Sequence, residues 1–186
     1  MEENYSEIHK SLIEDSKKGK RKAQTKLYNL YARSMFNICV RMSNSLEEAE
    51  DLLQDSFSDA FQKLDTFNYN SSFGAWLKRI VINKCINALK AKKADLTFTD
   101  DVKDFGQVED DSVIEDFKEL QVQQILEALK MLPDGYKAIF TLYLIEGYTH
   151  VEIADVLDIS VSTSKTQYLR AKKKLIEILG ENKRRN

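Results

Sequence analysis

Residues 67–93 read FNYNSSFGAWLKRIVINKCINALKAKK, a polar opening that gives way to a striped helix. Asn68, Tyr69, Asn70, Ser71 and Ser72 form a turn-prone loop. Phe73, Trp76, Leu77, Ile80, Val81 and Leu89 then recur at helical spacing. The other face carries Lys78, Arg79, Asn83, Lys84, Asn87 and Lys90. Such a helix docks one side on a core and turns a basic, amide-bearing side outward. The loop ahead of it offers amides, hydroxyls and aromatic rings, the groups that hold an unstacked base. Aromatics beside cations suit single-stranded nucleic acid better than closed duplex. The same pattern also describes an ordinary amphipathic helix with a solvated basic face.

On the N-terminal side, Ser45 followed by Glu48 fits a capping box. It opens a helix running to about Leu64, with Leu46, Ala49, Leu53, Phe57, Ala60, Phe61 and Leu64 as its apolar stripe. Glu47, Glu50, Asp51, Gln54, Asp55 and Asp59 make its other side acidic, which repels DNA and suits a basic protein partner or plain solvation. A longer helix, Ala23 to Met42, precedes it, with Leu27, Leu30, Tyr31, Ser34, Met35, Ile38 and Met42 as core positions. Ile8, Leu12 and Ile13 predict a short amphipathic helix. The basic run Lys17–Lys22 around Gly19 predicts a turn, open to phosphate contact or to solvent.

On the C-terminal side, residues 94–111 (ADLTFTDDVKDFGQVEDD) lack periodicity and read as an acidic linker. Composition alone favours a spacer over a segment that occupies a basic channel. A second domain begins near Ser112. Leu120, Ile125, Leu126, Leu129 and Leu132 predict a helix stopped by Pro133, and Asp134–Glu146 a second one closed by Gly147. Thr149 and Glu152 form another capping box. Thr149–Leu157 and Val161–Leu179, joined by a tight turn, have the pattern of a helix-turn-helix. Ala154 is small enough for a close crossing, and Ile159 can plug the turn. Ser162, Thr163, Ser164, Lys165, Thr166 and Gln167 open the second helix with groups that reach base edges and phosphates. Arg170 and Lys172–Lys174 can neutralise backbone phosphates or remain a solvated run.

A single proline and six glycines in 186 residues, with no long alternating run, predict an all-α chain of two small helical domains. The net charge of −2 hides an uneven distribution. Residues 1–92 hold 15 basic against 12 acidic side chains, residues 93–118 hold 3 against 9, and residues 158–186 hold 8 against 3. Cys39 and Cys85 fall on apolar helical stretches and read as buried small hydrophobes. With the two histidines at unrelated spacings they form no metal pattern. No acid–base pair, nucleophile constellation or phosphate loop points to an enzyme, and no cofactor is expected. No run approaches membrane-spanning length, and no apolar signal opens the chain, so a cytoplasmic protein without membrane insertion is expected.

Two sets of residues, in this order, resemble one family. Glu48-Ala49-Glu50-Asp51-Leu52-Leu53-Gln54-Asp55-Ser56-Phe57 leads to Phe67, then to Phe73-Gly74-Ala75-Trp76-Leu77-Lys78-Arg79-Ile80-Val81-Ile82-Asn83. Leu132-Pro133, Ile139-Phe140, Glu146-Gly147-Tyr148-Thr149, Glu152-Ile153-Ala154, Leu157, Ile159-Ser160, Thr163, Lys165 and Leu175 follow. Together they resemble the small, extracytoplasmic-function (ECF) sigma factors of bacterial RNA polymerase, which have only sigma domains two and four. The resemblance implies domain two at 1–93, the acidic linker at 94–111 and domain four at 112–186. It implies that Asp51, Gln54, Asp55 and Phe57 dock on the clamp helices of the polymerase's largest subunit.

For promoter DNA, the resemblance implies that Asn68, Tyr69, Asn70, Ser71, Ser72, Phe73, Trp76, Lys78, Arg79, Asn83 and Asn87 melt the −10 element and hold its single strand. It implies that Ser162, Thr163, Lys165, Thr166, Gln167, Arg170 and Lys173 read the −35 duplex, and that domain four meets the flap of the second-largest subunit. It turns the linker from a spacer into a segment threading toward the RNA exit path, and it brings an anti-sigma factor into view as a partner. This chain departs from the family pattern at Asp158, where a turn glycine is usual and a positive φ is expected. It departs again at Ser164 and Gln167, where Val and Arg are usual.

Overall fold

The computed structural model describes residues 9–92 and 122–185, with side chains for 9–92 and 124–180. Every regular element among them is helical. Ile8, the linker 94–111 and Leu120 lie outside the described residues. The chain divides into two packed units between Ala88 and Leu89.

The first unit holds α1 (Lys10–Lys17), α2 (Arg21–Met42), α3 (Leu46–Gln62), a short 3₁₀ turn (Leu64–Thr66) and all but the last three residues of α4 (Phe73–Ala91). Gly19 closes α1 at φ 75, so Lys20 N–H reaches the Asp15 carbonyl at 3.1 Å and the basic run turns as expected. Ser45 caps α3 by accepting from Glu48 N–H at 3.1 Å. The Glu48 carboxylate takes Asn44 N–H at 3.2 Å, one residue before the reciprocal partner of a capping box. The core gathers Ile13, Leu27, Met35, Ile38 and Met42 with Leu53, Phe57, Leu77, Val81, Ile82 and Ile86, each buried side chain of this size contributing about 2 kcal/mol.

Leu30 and Leu46, expected in that core, are exposed. The inward stripe of α2 runs through Leu27, Met35, Ile38 and Met42, which puts Leu30 and Ser34 on its outer edge. Leu46 is the first residue of α3, beyond the core's rim. Cys39 on α2 and Cys85 on α4 are buried free thiols. The Cys39 thiol and burial push the Cys85 thiol up, so it stays protonated.

The second unit holds α5 (Val122–Lys130), α6 (Asp134–Phe140), a π-helical turn (Thr141–Ile145), α7 (His150–Leu157) and α8 (Val161–Arg185). The single helix expected over 134–146 is thus α6 followed by a wider turn. Glu146 N–H bonds Thr141 O at 3.0 Å and Tyr148 N–H bonds Leu142 O at 2.9 Å, with Gly147 at φ 78. The extra residue lets Thr141 and Leu142 both bury. Helix α8 packs on α5, α6 and α7 through Tyr168, Ala171, Leu175, Ile178 and Leu179.

Candidate polymerase and nucleic-acid interface

On α3, Glu47, Glu50, Asp51, Gln54, Asp55 and Ser58 form one exposed stripe at three- and four-residue steps. Phe57 is not part of it. Its ring is 3 % exposed, 4.7 Å from Tyr28 and 5.9 Å from Phe61, because it stands on the core side of the same helix. Its expected polymerase contact is therefore withdrawn. Asp59 turns toward α4 and takes Lys84 Nζ at 2.8 Å, while Asp55 lies 4.0 Å from the same ammonium. The Lys84 hydrogen bond lowers the Asp59 carboxyl below its ordinary range. Lys84, expected on the outward basic face of α4, instead joins the two helices.

The loop before α4 stands on a continuous aromatic bed. Tyr31 meets Phe73 at 5.1 Å, Phe73 meets Phe67 at 5.7 Å, and Phe67 meets Trp76 at 5.4 Å and Tyr69 at 4.7 Å. Gly74 makes room for this bed, since a Cβ there would come within 3.1 Å of the Tyr31 ring. Phe73 is 1 % exposed and belongs to the core, so its expected strand contact is withdrawn as well. Ser72 caps α4, accepting Ala75 N–H on its hydroxyl at 3.2 Å.

Tyr69 has φ 64, a left-handed conformation rare for a bulky side chain. Its hydroxyl donates to the Glu14 carboxylate, and the Lys10 and Lys17 ammoniums lie 5.4 and 4.9 Å from its ring centre. Asn68, Asn70 and Ser71 stay exposed at the tip, with Asn70 N–H donating to Asn68 Oδ1 at 3.2 Å. Trp76 and Lys78 are half-buried, and Arg79, Asn83 and Asn87 continue outward along α4 at four-residue intervals. The stripe from Arg79 to Asn87 extends about 12 Å.

In the second unit, Thr149 and Glu152 complete their capping box: Thr149 Oγ1 accepts Glu152 N–H at 3.2 Å and the Glu152 carboxylate accepts Thr149 N–H at 2.8 Å. Asp158 stands at φ 58, as expected where glycine is usual, and Ile159 N–H returns to Ala154 O at 3.0 Å. Ser160 caps α8, its hydroxyl accepting Thr163 N–H at 2.9 Å and lying 2.8 and 2.7 Å from the hydroxyls of Ser162 and Thr163.

From there the helix phase sorts the expected contacts. Ser162, Lys165 and Lys173 are exposed, and Thr163, Thr166 and Arg170 are half-exposed. Gln167 is 2 % exposed, and Ser164 is fully buried with its hydroxyl 2.9 Å from His150 Nδ1. They face inward because 164, 167, 168, 171 and 175 share the packed side of α8. Gln167 thus drops out of the −35 set. Leu169 joins the outward row between Lys165 and Lys173. Four-residue spacing alone marks it, but its apolar side chain hides that position among candidate polar contacts.

Each unit, the one with an acidic and a basic helical face and the one with the capped helix-turn-helix, contains residues that a family model matches. Residues 27–94 match sigma-70 region 2, and residues 122–175 match sigma-70 region 4. The chain belongs to the ECF sigma factors of RNA polymerase.

It is 29 % identical to the ECF RNA polymerase sigma factor SigW of Bacillus subtilis over 175 residues, covering 89 % of this chain and 94 % of that one. It is 28 % identical to the RNA polymerase sigma-H factor of Pseudomonas aeruginosa, covering 93 % and 94 %. The solved sigma factor RpoE of Bartonella quintana, crystallised with the anti-sigma factor NepR, shares the fold at a TM-score of 0.53 and 23 % identity, covering 84 % of this chain and 96 % of that one. This ECF sigma factor directs promoter recognition and transcription initiation and is not an enzyme. No described helix is long and apolar enough to cross a membrane.

Proposed function

We propose that the factor works through three separate faces of its two units, in a cytoplasmic holoenzyme. Asp51, Gln54 and Asp55 dock on the clamp helices of the polymerase's largest subunit. Asn68, Asn70 and Ser71, with Tyr69 and Ser72 shaping the loop and Trp76, Lys78, Arg79, Asn83 and Asn87 behind it, hold the −10 single strand. Ser162, Thr163, Lys165, Thr166, Arg170 and Lys173 read the −35 duplex, and the same unit meets the flap of the second-largest subunit. Domain two is assigned to 1–93, the threading linker to 94–111 and domain four to 112–186. Strand opening is driven by differential binding, because the first unit holds a single strand better than a duplex.

The observation that carries this reading is the segregation of exposed groups within the first unit. The outward stripe of α3 is acidic, and the outward stripe of α4 is basic and amide-bearing. One suits a basic protein surface and the other a polyanion. An anti-sigma factor fits as a regulator, a class seen bound to the Bartonella quintana relative RpoE.

The test is a pull-down with core RNA polymerase followed by permanganate footprinting on a candidate promoter. Association with melting near the start site supports the reading. Tight duplex binding without any polymerase association overturns it. Asp51→Lys, which reverses an exposed charge, weakens polymerase binding by roughly a hundredfold with an unchanged fold; unchanged affinity removes α3 from the interface.

A further inference from the structure

We infer that α1 is the positioning element for the strand-capturing loop, acting through a latch in which Glu14 and Lys17 hold residues 67–69. This rests on the proposal that the loop meets the −10 strand. Six contacts converge. The Tyr69 hydroxyl donates to the Glu14 carboxylate. Lys17 Nζ donates to the Phe67 carbonyl at 3.0 Å and lies 3.4 Å from the Glu14 carboxylate. Lys17 and Lys10 both face the Tyr69 ring. The ring itself packs on Phe67.

These contacts explain why a tyrosine occupies left-handed backbone, where a bulky side chain is strained. Such strain persists only where the surroundings over-determine it, and here a helix more than fifty residues away in sequence does so. The consequence for DNA is a division of labour inside the loop. Tyr69 is engaged at its hydroxyl and ring, so it serves as the anchor. Its reversed backbone turns Asn68, Asn70 and Ser71 outward as the groups that meet a base. The Tyr69 hydrogen bond also lowers the Glu14 carboxyl below its ordinary range, so it remains an ionised acceptor at neutral pH. Glu14 and Lys17 touch no DNA in this account. They lower the entropy cost of presenting the loop.

The probe is a pool of promoter fragments with a randomised −10 region, transcribed by the reconstituted holoenzyme and sequenced. Tyr69→Phe removes only the hydroxyl and Glu14→Gln only the charge, so both keep the fold, checked by circular dichroism. Each is expected to flatten base preference by about threefold at the one or two positions facing the loop. Preference elsewhere and core-polymerase affinity stay as in the wild type, an outcome that general destabilisation does not produce. In the double variant the two effects combine to less than their sum, because both act on the Tyr69–Glu14 contact while Glu14→Gln also removes the charge facing Lys17. If Asn68→Ala or Asn70→Ala alters base preference while both latch variants match the wild type, the latch is overturned and the loop assignment stands. If those loop variants and the latch variants all match the wild type, the loop assignment itself falls and takes the latch with it.

Discussion

The two regions of this sigma factor proposed to meet DNA are held by opposite means. The reading row of α8 is set by neighbours in sequence: Asp158 makes the turn, Ser160 caps the helix, and the helical period does the rest. The loop 68–72 is set by distant parts of its unit. It rests on Tyr31 and Phe73 below and on Glu14 and Lys17 beside it. A duplex reader needs only a straight helix of known phase. A loop for an unstacked strand needs an irregular backbone, and irregular backbone has to be held from outside itself.

Removing the bed should separate the two most sharply. Phe73→Ala is expected to destabilise the first unit by about 3–5 kcal/mol. Trp76, the chain's one tryptophan, reports that unit by fluorescence, while a later transition in circular dichroism reports the unaffected second unit. Loss of both transitions together would break the contrast.

Next in size is the sorting of α8. Gln167→Ala should lower the second unit's stability by about 1–2 kcal/mol through loss of a buried, packed side chain. Lys165→Ala should leave melting unchanged and reduce the salt dependence of holoenzyme binding to a promoter duplex by about one counterion. Swapped phenotypes would return Gln167 to the DNA face. Asp158→Gly should stabilise the second unit by about 1 kcal/mol, because glycine adopts the left-handed turn without a Cβ clash. A loss of stability would show that the Asp158 side chain contributes more than its backbone costs.

The smallest effect concerns Lys84. The Asp59 carboxyl is lowered in the folded state, so its contribution is present above its ordinary value of 3.8 and fades as pH falls through the folded value. Lys84→Met should remove this acid-side dependence, about 0.3 kcal/mol given the solvent exposure of the pair. A urea midpoint followed between pH 5 and pH 3, with Trp76 as reporter, checks it. An unchanged slope would mean that Lys84 acts on α4 alone.

Legibility followed the same division. The two capping positions at Ser45 and Thr149, the turn glycines at 19 and 147, the αL turn at Asp158 and the acidic stripe of α3 were all readable, because each depends on a few consecutive residues. Three residues expected at contact faces are buried, for one reason. Phe57, Phe73 and Gln167 sit within motifs whose neighbours are exposed, and a motif does not say which of its residues points inward. Only helix phase against a packed partner decides that. The π-helical turn at 141–145 was invisible for a similar cause, since an extra residue in a helix is absorbed by packing and leaves no periodic signal.

By itself, then, the amino-acid sequence determined the all-α class, most helix starts and stops among the described residues, the family, and the opposed charges of α3 and α4, because period, caps and charge are local properties. Tertiary structure alone decided that Lys84 bridges to Asp59 and that Gly74 yields space to Tyr31. It also decided that Tyr69 is bent over Glu14 and Lys17. Those contacts join residues far apart in the chain, and their partners exist only once the helices have packed.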